Sequence, residues 1–241
     1  MAHRAEGQAG AAGPRAMLGP MHATPPGLAL LAGATGLVGR EIAARWPGPL
    51  HLLVRRALPP PRADARVQLV DFAALPALPP AAVAFCALGT TLQVAGSQAA
   101  FRAVDLDAVL AFARACRGAG VTRFATVSAL GAHARSANFY SRVKGEAEDA
   151  LRGLGFAQLV IARPSLLLGD RAALGQPHRR GERWGERVAG WLGPLVPAAV
   201  RPVAAARVAQ ALVQALQSPP GAAAGVTVID SAALQRVAIP A

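Results

Sequence analysis

The sequence predicts an α/β protein: a doubly wound parallel sheet of six to seven strands with helices on both faces, then a small C-terminal segment on the substrate side. Three observations predict it. Short apolar runs alternate with helical stretches, as strands covered on both faces by crossover helices do. The first such run passes straight into a glycine-spaced turn and then a helix. The chain has 241 residues, enough for one domain with a sizeable core.

Residues 1–26 are mostly Ala, Gly, Pro and Arg without periodicity and are expected to form a disordered tail. Met17 or Met21 could be the true start. The apolar core of a signal peptide is missing from this stretch. Residues 27–241 then read as a single domain. Gly27–Ala32 is a buried strand. Leu37–Trp46 is a helix, stopped by Pro47. Leu50–Val54, Val67–Val70 and Val83–Leu88 are the next strands. Ser97 caps a long helix to Arg117, which Gly118 and Gly120 end. Val121–Val127 is the fifth strand. A helix from Phe139 to Leu154 ends at Gly153 and Gly155. Ala157–Ala162 is the sixth strand. Beyond Arg163 the pattern is less regular. Gly181–Leu192 fits a helix, Ala204–Gln217 fits one better, and Val226–Ile229 is a candidate seventh strand.

Composition narrows the function. The chain is 53% hydrophobic and 16% charged, as a globular protein is. Its net charge of +12 is spread along the whole length, and aromatics are only 5%. That is an arginine-rich composition rather than a nucleic-acid-binding stripe, so no nucleic-acid partner is expected. No uninterrupted apolar run is long enough to span a membrane. Five scattered histidines lack ligand spacing, so no metal is expected. Cys86 and Cys116 form no disulfide framework and fit a reducing cytoplasm.

The chemistry gathers in a few motifs. Gly33, Gly36 and Gly39 are spaced G-x-x-G-x-x-G between the first strand and first helix, where the backbone can approach a pyrophosphate. An acid at the end of the second strand would select NAD(H). This chain has Arg55 and Arg56 there, which suit a 2′-phosphate, so NADP(H) is expected over NAD(H). Asp71, past the third strand, could bond the adenine. The fourth strand ends in Leu88, Gly89 and Thr90, at the edge where ligands of open α/β sheets bind. The fifth ends at Ser128, whose hydroxyl could hold a substrate carbonyl oxygen. Of the 25 basic residues one is a lysine, Lys144, and it follows the single tyrosine, Tyr140, by four positions. On a helix the two share a face, and an ammonium there favours the phenolate.

In this order and at these intervals the motifs resemble the short-chain dehydrogenase/reductase superfamily of NAD(P)-binding Rossmann proteins. G-A-T-G-L-V-G, C-A-L-G-T-T, V-S-A-L-G-A, Y-S-R-V-K-G-E-A-E and A-R-P-S-L-L-L-G are similar to its atypical, extended-like branch, the Tat-interacting type. The likeness covers about residues 28–218. It implies Tyr140 as general acid/base, Ser128 as substrate anchor, and Lys144 as holder of the nicotinamide ribose. It implies cofactor contacts from Gly33, Thr35, Gly36, Leu37, Val38 and Gly39 in the turn, from Tyr140 and Lys144, and from Pro164 and Ser165 near the nicotinamide. One departure matters. The helix after the fourth strand has no Asn, and Asp105 lies about where the superfamily's Asn falls. An ionised carboxylate accepts but does not donate, which puts the usual proton relay in question.

The expected function is therefore an NADP(H)-dependent oxidoreductase passing hydride to or from a small carbonyl or alcohol. A non-catalytic NADP(H) sensor or scaffold, or an epimerase or dehydratase on the same fold, remains open. Residues 165–200 are expected to form a lid on the substrate side. Within them 170–195 carry five arginines against three acids, with Trp184 and Trp191. An anionic substrate and a membrane-surface helix are the other readings of that stretch. The partner expected is a small-molecule substrate, and a homodimer is one open assembly. Fewer than 80 residues follow the sixth strand, too few for a large sugar-nucleotide domain.

Overall fold

The computed structural model describes residues 27–169, 197–218 and 224–239. The elements are β1 (Ala29–Ala32), α1 (Leu37–Arg45), β2 (Leu50–Val54), β3 (Ala65–Leu69), β4 (Val83–Cys86), α2 (Leu92–Ala95) and α3 (Gln98–Arg102). A π-helical stretch, Ala103–Asp107, leads into α4 (Ala108–Gly118). Then follow β5 (Arg123–Val127), α5 (Phe139–Arg152), β6 (Gln158–Arg163), β7 (Leu167–Leu168), β8 (Val203–Ala204), α6 (Ala205–Gln217), β9 (Gly225–Asp230) and α7 (Ser231–Gln235).

Seven strands form one parallel sheet in the order β3-β2-β1-β4-β5-β6-β9. The central register sets Ala29 beside both Leu50 and Val83. The order reverses between β1 and β4, the point at which doubly wound sheets open a crevice for ligands. This is the Rossmann arrangement the alternation of elements predicts.

Both faces of the central strands are covered, which is why β1 and β4 are apolar without alternation, whereas the edge strands β3 and β9 are more exposed. Leu31 and Phe85 face one side, against Ile42 and Trp46 of the α1 region and Leu212 of α6. Leu30 and Phe124 face the other, against Phe112 of α4 and Leu151 of α5. Phe124 lies between Phe112 and Phe156, with ring centroids 5.9 and 4.7 Å away.

The glycine turn is sterically exacting. Gly33 has φ +86°, and a Cβ there would stand 2.4 Å from the Ala87 backbone. A Cβ on Gly39 would stand 2.1 Å from the Gly33 carbonyl oxygen. Two of the three glycines are thus required by the protein's own packing.

The long helix expected from Ser97 to Arg117 is three pieces. It opens as expected, with Ser97 Oγ accepting from the Ala100 N–H at 3.1 Å. The π-helical stretch then interrupts it, with Asp105 and Leu106 both buried. Apolar spacing continues on either side of such a bulge, so periodicity does not reveal it. The short α2, the β7–β8 pair and α7 are further elements beyond the sequence reading. The expected tail, the 181–192 helix and most of the 165–200 lid lie outside the described residues.

Gly39→Ala should destabilise the fold by more than about 3 kcal/mol, since backbone must move to admit the methyl. Gly36→Ala, whose Cβ would make only ordinary contact at 3.4 Å, should cost about 1 kcal/mol or less. Urea denaturation of both variants checks this; equal costs would remove the distinction between the two glycines.

Candidate active site

The carboxyl ends of β1, β4 and β5 converge on one rim. Gly36 is the N-cap of α1, and no side chain caps the helix there. The first turn of α1 carries no acid either. Its free N–H groups and positive dipole end are therefore left for an external anion. Thr35 is exposed, Gly36 and Leu37 are half-buried, and Val38 and Gly39 are buried. Packing does not demand Gly36, since a Cβ there would make only ordinary contact, 3.4 Å from the Gly33 carbonyl oxygen.

The turn is contiguous with the lysine. Gly33 abuts Ala87 and the backbone nitrogen of Leu88. Two residues on, a Cβ at Gly89 would stand 3.4 Å from Asp105 Oδ1 and 3.7 Å from Lys144 Nζ. The end of β4 thus lies over a buried ion pair, Lys144 Nζ to Asp105 Oδ1 at 2.7 Å. The other carboxylate oxygen accepts the Thr90 N–H at 2.8 Å. Leu88 is buried beside it and Thr90 half-buried. The π-helical stretch aims Asp105 into this position.

Burial works against the Lys144 ammonium, but Asp105, Tyr140 and Cys86 outweigh it and hold the lysine above its ordinary pKa. Lys144 is therefore a fixed cation. Tyr140 stands one helical turn before it on α5. Asn138 caps that helix, accepting the Ser141 N–H at 3.0 Å. The Tyr140 ring is half-buried against Phe101, with centroids 5.4 Å apart.

Ser128 has a different neighbourhood from the one its position suggests. Its hydroxyl donates to Glu148 Oε1 at 2.6 Å. Glu148 is buried, and Arg163 holds it with two bonds at 2.9 and 2.6 Å. Arg152 adds a third at 3.0 Å. Burial pushes the Glu148 carboxyl up, but Arg163, Ser128 and Arg152 together bring it below its ordinary value. With its one proton engaged by Glu148, Ser128 has none to give a substrate carbonyl in this arrangement. Asp105, Thr126, Ser128, Lys144 and Glu148 line a small cleft below the rim, with room for about one water.

Glu148 is not among the residues expected at the site, although the sequence carries a signal for it. Tyr140, Lys144 and Glu148 are spaced four apart, so one face of α5 carries all three. The A-R-P-S run makes several internal contacts. The Arg163 guanidinium grips Glu148. Pro164 is buried, and its carbonyl accepts the Leu130 N–H at 2.8 Å. Ser165 Oγ donates to the Arg201 carbonyl. Arg55 and Arg56 are exposed just beyond β2, next to β1 in the sheet. Asp71 is exposed past β3, with Oδ1 accepting the Ala73 N–H at 2.9 Å. Trp184 and Trp191 lie outside the described residues. No described helix is long and apolar enough to cross a membrane.

A parallel sheet of this order, a glycine turn at β1 and a Tyr-x-x-x-Lys helix on the same rim are the architecture of an NAD(P)-binding short-chain dehydrogenase/reductase. No protein-family model matches the chain. It is 36% identical over 178 residues to the mitochondrial protein FMP52 of Eremothecium gossypii, covering 70% of this chain and 76% of that protein. It is 40% identical over 119 residues to protein HTATIP2 of Rattus norvegicus, covering 48% of this chain and 47% of that one. The chain belongs to the atypical short-chain dehydrogenase/reductase family of FMP52 and HTATIP2. The match to FMP52-1 of Scheffersomyces stipitis, over 87 residues, spans only 38% of that protein. Among solved structures, UDP-N-acetylglucosamine 4-epimerase from Methanobrevibacter ruminantium has the same fold. The TM-score is 0.65 at 13% identity, over 86% of this chain and 77% of that one.

The expected cytoplasmic setting is overturned by these relatives. The FMP52 proteins of E. gossypii, S. stipitis and Candida albicans are named mitochondrial. The cysteines that suggested cytoplasm carry no such information. Cys86 and Cys116 are buried, and burial pushes the Cys86 thiol up to about 11 and that of Cys116 higher still. They record packing, not compartment.

The titration of the two buried groups predicts both limbs of stability against pH. Glu148 is lowered below its ordinary 4.5, so its contribution is present above that pH and is lost as pH falls through the folded value. Lys144 is raised above its ordinary 10.5, so its contribution is present below that pH and is lost as pH climbs through the folded value. Melting temperature against pH should show both declines, and Glu148→Gln should flatten the acid one. An unchanged acid limb in that variant would contradict the role given to Glu148.

Proposed function

We propose that the chain is an NADP(H)-dependent oxidoreductase that passes hydride to or from a small carbonyl or alcohol. One observation carries the proposal: a charged lysine fixed beneath Gly89, one turn from the single tyrosine, on the rim where the glycine turn leaves a helix end uncapped. Bound NADP(H) would supply or accept the hydride. The α1 N-terminus and Gly36 would hold its pyrophosphate. Arg55 and Arg56 would meet the 2′-phosphate, with no acid at the end of β2 to prefer a free hydroxyl. Leu88, Gly89 and Thr90 would line its path, and Pro164 and Ser165 would border its nicotinamide end.

The proton chemistry falls to this chain's own groups. Tyr140 gives a proton to the substrate oxygen in reduction and takes it in oxidation. Lys144 would offer N–H donors to the nicotinamide ribose. Phe101, with its ring centroid 5.4 Å from that of Tyr140, covers one side of the tyrosine. Ser128 enters this reading as the partner of Glu148, which fixes α5 to the end of β6 through Arg163. Substrate oxygen then relies chiefly on Tyr140. The mitochondrial names of the relatives supply the proposed compartment.

A panel of small carbonyls with NADPH tests the reading. Tyr140→Phe should lower kcat by about 10²–10⁴-fold, with NADPH affinity nearly unchanged. Turnover indifferent to that change would remove Tyr140 from the chemistry. Intact NADPH binding with no turnover on any carbonyl would favour a sensor or scaffold. Arg55→Ser with Arg56→Ser should weaken NADPH binding by roughly tenfold or more and leave NADH nearly unaffected; equal losses for both cofactors would contradict NADP(H) selection.

A further inference from the structure

Asp105 is more than a substitute for an absent Asn. Both of its oxygens face donors, the Lys144 ammonium at 2.7 Å and the Thr90 N–H at 2.8 Å. A carboxylate satisfies both. An amide would satisfy one and turn its own N–H₂ against the other. The site therefore specifies an anion. The side chain is wholly buried, and the π-helical stretch brings it there while Gly89 leaves nothing in between.

The other charges near the pair do not replace it. The Cys86 thiol on β4 stays neutral, since burial pushes it up to about 11. Glu148, one turn along α5, is taken by Arg163 and Arg152. Arg102 and Glu146 pair with each other at the surface. In the loop before α5, His133 Nδ1 accepts the Arg135 N–H. Arg142 lies over the Phe139 ring and donates to the Ser136 carbonyl.

A cation alone acts on its surroundings as a monopole. A cation in tight contact with an anion acts as a dipole, and its field falls off faster. We propose that Asp105 is a positioning residue that fixes Lys144 and cancels part of its charge at Tyr140, setting how strongly the lysine favours the phenolate. This rests on the reading of Tyr140 and Lys144 as the acid–base pair. Asp105 thereby exchanges the superfamily's relay function for electrostatic control of the tyrosine.

The single tyrosine makes this directly measurable, because phenolate absorbance near 295 nm then reports Tyr140 with no substrate or cofactor present. In Asp105→Asn that absorbance should rise at a pH lower by about one unit, roughly tenfold in proton affinity. Should that variant not fold, Lys144→Gln is compared with the doubly neutral Asp105→Asn/Lys144→Gln. The double variant should again ionise about one unit lower than the single. Circular dichroism defines the pH range in which each protein stays folded. Midpoints within about 0.2 units in every folded comparison, an upward shift, or a phenolate signal that appears only on unfolding would each overturn the proposal. Inactivity on every carbonyl would not touch this result, so the two failures are separable.

Discussion

The buried contact between Lys144 and Asp105 is the constraint on which the rest of the site depends. Two opposite charges lie out of water at 2.7 Å, and removing either would strand the other. Three parts of the chain must arrive together to avoid that. The end of β4 brings the Thr90 N–H and the bare face of Gly89. A break in helical regularity between α3 and α4 turns Asp105 inward. The first turns of α5 bring Lys144, with Tyr140 one turn earlier. The glycine turn joins the same assembly because Gly33 is wedged against Ala87 and Leu88.

α5 then divides one face between two tasks. Its N-terminal half brings Lys144 to Asp105 beneath Gly89, with Tyr140 one turn earlier. Its next turn, Glu148, looks to the interior, where it ties Ser128 at the end of β5 to Arg163 at the end of β6. β5 and β6 are neighbours in register, Val127 beside Ala162. The Glu148 network therefore fixes α5 against two adjacent strand ends. That orients the tyrosine and lysine without touching either, as a buried, fully satisfied polar network can.

Much of this was legible in the sequence, and the reasons are specific. Apolar runs such as Leu50–Val54 reveal doubly covered strands because both faces must be hydrophobic. The glycine spacing reveals the turn because Gly33 and Gly39 tolerate no Cβ. The scarcity of Tyr and Lys singled out the 140–144 pair. The π-helical stretch was not legible, since apolar spacing continues on either side of it. Nor was the partner of Ser128: a hydroxyl at a strand end looks the same whether it faces substrate or a carboxylate twenty residues on. The short β7–β8 pair is held by contacts between segments distant in the chain, which no window of sequence reports.

If Tyr140 and Lys144 serve the chemistry, a bound nicotinamide must lie against them. A crystal structure of the protein with NADP⁺ measures this directly. The pyrophosphate should lie at the α1 N-terminus, the nicotinamide ribose in hydrogen-bond reach of Lys144 Nζ, and the ring facing the Tyr140 hydroxyl. A nicotinamide held away from that pair, or a cofactor bound elsewhere than the carboxyl ends of β1 and β4, would contradict that arrangement.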